Sequence, residues 1–97
     1  MAFDPNQVDE VIHGRMRLGV MAYLVEASPA AFTELAQALG ATNGNLSVHL
    51  TKLEAAGYVR TEKARGRGRG LTTVKLTKDG EKAWSAYLDQ MRGLLGG

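Results

Sequence analysis

The sequence predicts a mainly α-helical domain with one small β-hairpin, in the order α-α-α-α-β-β-α, and three observations predict it. Residues 33–60, TELAQALGATNGNLSVHLTKLEAAGYVR, read as two short helices joined by a tight turn and followed by a strand. Two extended stretches, residues 58–64 and 71–77, flank the tract RGRGRG, whose alternate glycines permit the positive φ angles of a hairpin tip. Residues 78–95 carry Trp84, Tyr87, Leu88, Met91, Leu94 and Leu95 as a long apolar stripe at helical spacing.

Each element has its own local signal. Asp4-Pro5 supplies an N-cap acceptor and a proline at the first helical position. Val8, Val11 and Ile12 then predict a short helix over about residues 5–12, which Gly14 breaks. A second helix over residues 15–27 turns Met16, Val20, Met21, Tyr23 and Leu24 mostly inward and stops at Ser28-Pro29. Leu35, Ala36 and Leu39 form the buried side of the third helix, and Gly40 supplies the left-handed residue that ends it. Thr42 or Asn43 caps the fourth, which repeats Leu46, Leu50 and Leu53 at spacings of four and three. In the second hairpin strand Val74 and Leu76 alternate with Thr73, Lys75 and Thr77, the half-buried strand pattern. Thr77 caps the last helix.

Composition bounds the function. The chain has 97 residues, enough for one domain over residues 1–97 with a single modest core. No cysteine is present, which excludes disulfides, thiolate chemistry and cysteine-based zinc sites. The apolar run 19–25 is too short to span a bilayer, and the acidic start MAFDPNQVDE is unlike a secretion signal. A cytoplasmic protein is expected, with no membrane partner. No paired Ser-His-Asp set or phosphate-binding glycine fingerprint appears, so neither an enzyme nor a cofactor is expected.

The net charge of +2 conceals a segregation. Residues 47–78 hold eight basic side chains against Glu54 and Glu62, which leaves the remainder of the chain acidic. One surface therefore suits a polyanion and another repels it. The fourth helix commits one face to a core and shows Gly44, Asn45, Val48, Thr51, Lys52 and Ala55 on the other, small or polar and without an acid. Such a helix, second of a helix-turn-helix pair over about residues 32–56, fits a DNA major groove. Asn45 stands at its start, where asparagine can pair with adenine. Asn43 is either a cap or a second base contact, and Gly44 allows close approach. Val48 and Thr51 point outward, the valine toward a thymine methyl or toward solvent, while Lys52 meets phosphate.

GNLSVHLTKLEAAGYV, the basic hairpin and LTKDGEKAW together resemble the small winged-helix transcriptional regulators of the MarR and ArsR types. IHGRMRLGVMAYL, FTELAQALG, NGNLSVHL, LEAAGYV and LTKDG occur in that family's order and spacing, and the resemblance runs from about residue 12 to 95. It implies a recognition helix with Ser47 and His49 against DNA, and a wing over about residues 58–77 reaching the neighbouring minor groove. Narrow minor grooves concentrate negative potential and attract arginine. Arg67 is the candidate for insertion, with Arg65 and Arg69 on flanking phosphates, and Lys63 is a further DNA-binding candidate of the wing. ArsR-type metal sites use cysteine or histidine clusters; with only His13 and His49 here, metal sensing is not implied.

Both the resemblance and the stripe length predict a two-fold homodimer through helices at about residues 5–12 and 78–95. Its candidate interface is Phe3, Val8, Val11, Ile12, Trp84, Tyr87, Leu88, Met91, Leu94 and Leu95. The preferred expectation is a homodimeric, sequence-specific binder of double-stranded DNA that represses transcription. The alternative is a winged-helix adaptor that binds another protein through the same apolar helices. Effector, operator and target genes are not readable; Met16, Tyr23, Trp84 and Tyr87 fit a small-ligand crevice and ordinary core packing equally well.

Overall fold

Three leucines on the fourth expected helix decide which way it faces. In a computed structural model of the chain, which describes residues 5–64 and 71–96, Leu46, Leu50 and Leu53 are buried on α3 (Asn43–Ala55). They join a core with Val20, Met21 and Leu24 of α1 (Arg15–Ala27) and Leu35 and Ala36 of α2 (Phe32–Leu39). Val59 of β2 (Val59–Ala64) and Val74 of β3 (Leu71–Leu76) close it from the sheet. Tyr87 of α4 (Lys78–Leu94) completes it.

The sheet has three antiparallel strands in the order β1-β3-β2, where β1 is the two-residue segment Ala30–Ala31. The hairpin strands pair from Val59 with Leu76 to Ala64 with Leu71, as the alternation predicts. The sequence does not announce β1, because two alanines lack the branched or aromatic side chains that mark strands. Ala30 and Ala31 pair instead with Val74 and Thr73 after α1 ends.

The helix-turn-helix corner follows its local chemistry. Gly40 ends α2 in the left-handed region, at φ 63° and ψ 33°, which glycine enters without a Cβ penalty. Of the two candidate caps the hydroxyl of Thr42 takes the role, accepting from the Asn45 N–H at 3.1 Å. Asn43 is left with an exposed side chain in the first turn.

The beginning of the chain departs from expectation. Only Pro5–Gln7 forms a short 3-10 turn, and residues 8–14 are turns and irregular backbone in place of the α-helix expected over 5–12. Asp9 is the reason. Its Oδ1 accepts the N–H groups of Val11 and Ile12, at 2.9 and 3.3 Å, and so offers the backbone an alternative to helix. Its Oδ2 accepts from the Tyr58 hydroxyl at 2.6 Å, and that bond, with partial burial, pushes the phenol pKa up to about 12. The segment is thereby tied to the end of the helix-turn-helix, and Ile12 is drawn fully into the core. His13 Nδ1 lies 3.0 Å from the Tyr87 hydroxyl, fastening it to α4 as well.

The start of α4 is fixed by a close approach. The Thr77 hydroxyl accepts from the Gly80 N–H at 2.9 Å and faces the carbonyls of Gly57 and Tyr58 at 2.6 and 3.0 Å. Gly80 presses on the same backbone: a Cβ there would stand 2.1 Å from the Tyr58 carbonyl oxygen and 2.8 Å from Leu76 Cδ1. The Tyr58 carbonyl is backbone and cannot swing aside as a side chain could, so the G80A variant is predicted to lose about 2–3 kcal/mol of stability through overpacking. Urea denaturation reads this directly, and an unchanged midpoint would contradict the close approach.

Candidate nucleic-acid interface

With the leucine stripe inward, the opposite face of α3 is left in solvent. Thr42, Asn43, Gly44, Asn45, Ser47, Val48, Thr51 and Lys52 are all exposed, Val48 to 56 %. None carries a negative charge. The Thr51 hydroxyl donates to the Ser47 carbonyl at 2.9 Å, which leaves its oxygen as an acceptor toward the outside.

The base of the hairpin stands against this helix. Ser47 and Thr51 of α3, Thr61 and Lys63 of β2 and Thr72 of β3 wall one hollow of about 260 Å³. Glu54 holds the two elements together: its carboxylate accepts the Thr61 N–H at 3.2 Å and the Thr61 hydroxyl at 3.1 Å. The acceptor suits the place, because β2 is an edge strand with N–H groups that no neighbouring strand takes. Lys63 is exposed beside Glu62. Arg65, Arg67 and Arg69 lie outside the described residues.

His49 has a partner the sequence does not reveal. Expected against DNA, it sits half-buried with Nδ1 3.1 Å from Arg17 Nη1. Arg17 Nε also donates to the Val11 carbonyl at 2.5 Å, so one guanidinium links the N-terminal segment to α3. Burial lowers the His49 pKa first, and the charges of Arg17 and Lys52 lower it further. Arg17 and Glu54 are the two residues that sequence reasoning missed. Each acts across the fold, over 32 and 7 residues of chain, and only Glu54 left a trace, as an acid inside a basic segment.

The expected dimer residues divide. Ile12 is 0 % and Tyr87 3 % exposed within the single chain, which corrects their assignment: they are core. Val8, Val11, Trp84, Leu88 and Met91 are half-buried, while Leu94 and Leu95 are 52 % and 83 % exposed. Phe3 lies outside the described residues. Trp84 stacks on Tyr87 with ring centroids 5.9 Å apart, and the Tyr23 hydroxyl bonds Glu34. Tyr87 belongs to the core, and Tyr23 and Trp84 pack against it. A hollow of about 530 Å³ lies elsewhere, between Pro5, Val8, Glu10 and His13 on one side and Met91 and Leu94 on the other. Among the described residues no group of three or more His, Asp or Glu side chains is placed to hold a metal, and no helix is long and apolar enough to cross a membrane.

A helix-turn-helix followed by a two-stranded hairpin lying against its second helix defines a winged helix. Residues 16–95 match the family model of the winged helix DNA-binding domain, and the chain belongs to that family. It is 34 % identical over 79 residues to an uncharacterized protein of Methanocaldococcus jannaschii, covering 81 % of this chain and 86 % of that one. A solved transcriptional regulator homologue from Pyrococcus horikoshii superposes with a TM-score of 0.84 at 31 % identity, over 92 % of this chain and 88 % of the other. A MarR family regulator from Streptomyces coelicolor, solved in complex with DNA, shares the fold with a TM-score of 0.68 at 24 % identity, over 91 % of this chain and 62 % of that one. Family and fold are those of DNA-binding transcriptional regulators, not of enzymes.

The lowered His49 pKa has a stability consequence with a definite sign. A histidine held below its ordinary 6.5 favours the neutral ring when folded, so its contribution is complete above pH 6.5 and is lost as pH falls through the folded value. Between about pH 7.5 and 5.5 the melting temperature of wild type is predicted to fall more than that of H49Q, which does not titrate. Equal falls in calorimetry would contradict the assignment.

Proposed function

We propose that the chain is a homodimeric regulator that reads a roughly palindromic duplex site and represses transcription by occupying promoter DNA. The observation that carries this reading is the uncharged-to-basic outer face of α3 standing beside the hairpin base, both turned to solvent. The recognition helix enters the major groove with Asn45 at base edges, Gly44 at close approach and Val48 against a thymine methyl. Ser47, Thr51 and Lys52 accompany it along the groove wall. Lys63 and the arginines at 65, 67 and 69 serve the wing, with Arg67 in the neighbouring minor groove. A Streptomyces coelicolor regulator that shares this fold was solved in complex with DNA, which supports DNA as the partner.

Dimerisation brings the N-terminal segment and the end of α4 against a second copy, through Val8, Val11, Trp84, Leu88, Met91, Leu94 and Leu95. The support is the exposure of Leu94 and Leu95 at the end of an element whose aromatic residues, Trp84 and Tyr87, are stacked on each other. Two recognition helices then lie about one helical turn (10–10.5 bp) or a multiple apart. The expected compartment is the cytoplasm.

Two substitutions separate the roles. N45A is predicted to narrow the gap between preferred and scrambled duplexes, by about 1–3 kcal/mol if the asparagine pairs with adenine. R67A is predicted to weaken binding to every duplex and to flatten its salt dependence. Competition gel shifts distinguish them; equal losses for N45A on all sequences would reduce Asn45 to a backbone contact. For the dimer, sedimentation at micromolar concentration is expected to give twice the 10.4 kDa chain mass. A species of the chain mass alone would overturn it.

A further inference from the structure

The edge of α3 that faces away from the wing is also furnished. At about 100° per residue, Ser47, Thr51 and Glu54 fall on one side of the buried leucine stripe and Asn45 and His49 on the other. On that second side, Asn45 and His49 line a notch of about 260 Å³ with Gly14, Arg15, Met16 and Arg17 at the start of α1.

The chemistry of the notch is nearly all donor. Arg17 is held in place by its bonds to the Val11 carbonyl and to His49 Nδ1. Its Nη2 makes no hydrogen bond among the described residues and lies 3.7 Å from the point where a side chain on Gly14 would begin. Because Arg17 donates to Nδ1, the ring proton of neutral His49 resides on Nε2, which becomes a further donor. Arg15 is exposed, with no acidic partner among the described residues. Among the described residues no carboxylate lines the hollow. The α1 N-cap, Gly14, offers no side-chain acceptor to the first-turn N–H groups, which adds donors of the same sense.

We infer that this notch binds a backbone phosphate of the duplex, on the strand across the major groove from the wing. A major groove about 12 Å wide has two phosphate walls, and a helix lying in it meets both. Lys63 and the wing serve one wall; Arg15 and Arg17 serve the other. Arg17 is already fixed by two hydrogen bonds, so little side-chain freedom remains to be lost on contact. Arg15 supplies the mobile charge. The inference rests on the proposed DNA reading and assigns that interface a third element, α1, outside the helix-turn-helix and the wing.

The test follows binding of the full chain to a mixed-sequence duplex of roughly 30 bp by fluorescence anisotropy over a salt series, because nonspecific affinity reports phosphate contacts. Wild type is compared with R15A, R15K and K52A; the Arg15 side chain is exposed and makes no hydrogen bond or ion pair among the described residues, so its replacement is expected to leave the fold intact. R15A is expected to reduce the slope of log K against log salt by about 0.9 per protomer, so that its affinity deficit shrinks about 3.5-fold between 50 and 200 mM salt. R15K, which keeps the charge, is expected to restore the wild-type slope. A wild-type slope for R15A overturns the phosphate notch; if K52A flattens in the same experiment, the DNA reading survives that loss. Wild type that binds no duplex at any salt overturns the DNA reading and the notch together.

Discussion

Burial of Leu46, Leu50 and Leu53 is the constraint on which the rest of the molecule depends. A helix has one orientation about its axis, and three buried leucines fix it, each favouring burial by about 1.5–3 kcal/mol. Once that stripe is set against α1, α2 and the sheet, everything else on α3 has its place decided. Val48 and Lys52 must point out, and Ser47 and Thr51 must border the hairpin. Asn45 and His49 must border the start of α1. The exposed face therefore results from core formation and needs no separate cause.

The supports around α3 are polar, and apart from Glu54 they cross long stretches of chain. Glu54 fastens the hairpin to one edge, and Arg17 reaches His49 at the other. Tyr58, at the foot of the hairpin, is held by Asp9 from the N-terminal segment, and Thr77 and Gly80 bring α4 onto the same backbone. A recognition surface whose borders are fixed before binding loses less freedom when it docks. The placement of the helix and the hairpin base is built into the folded chain in this way.

Much of this was legible in the residues because the signals were local. Gly40, Thr42 and Thr77 each act within a few positions, and the structure uses all three as their spacing predicts. The leucine repeat and the Val74–Leu76 alternation are local as well. The failures came where distant groups compete with local preference. Asp4-Pro5 and the apolar residues after it do look like a helix start, yet Asp9 captures two N–H groups and its tyrosine partner lies 49 residues away. Ile12 and Tyr87 read as a surface stripe because helical spacing alone does not say which neighbour, within the chain or on another copy, will cover them. Arg17 and Glu54 belong to no pattern, since a single long charged side chain has no period to detect.

The central claim is that the outer face of α3 and the adjoining hairpin are the surface that meets duplex DNA. Amide chemical-shift mapping in an NMR titration with a duplex tests it most directly. The account predicts that the perturbed amides cluster over residues 43–52 and 61–72 while those over residues 82–92 of α4 stay in place. Perturbation concentrated on α4, with residues 43–52 unmoved, would contradict it.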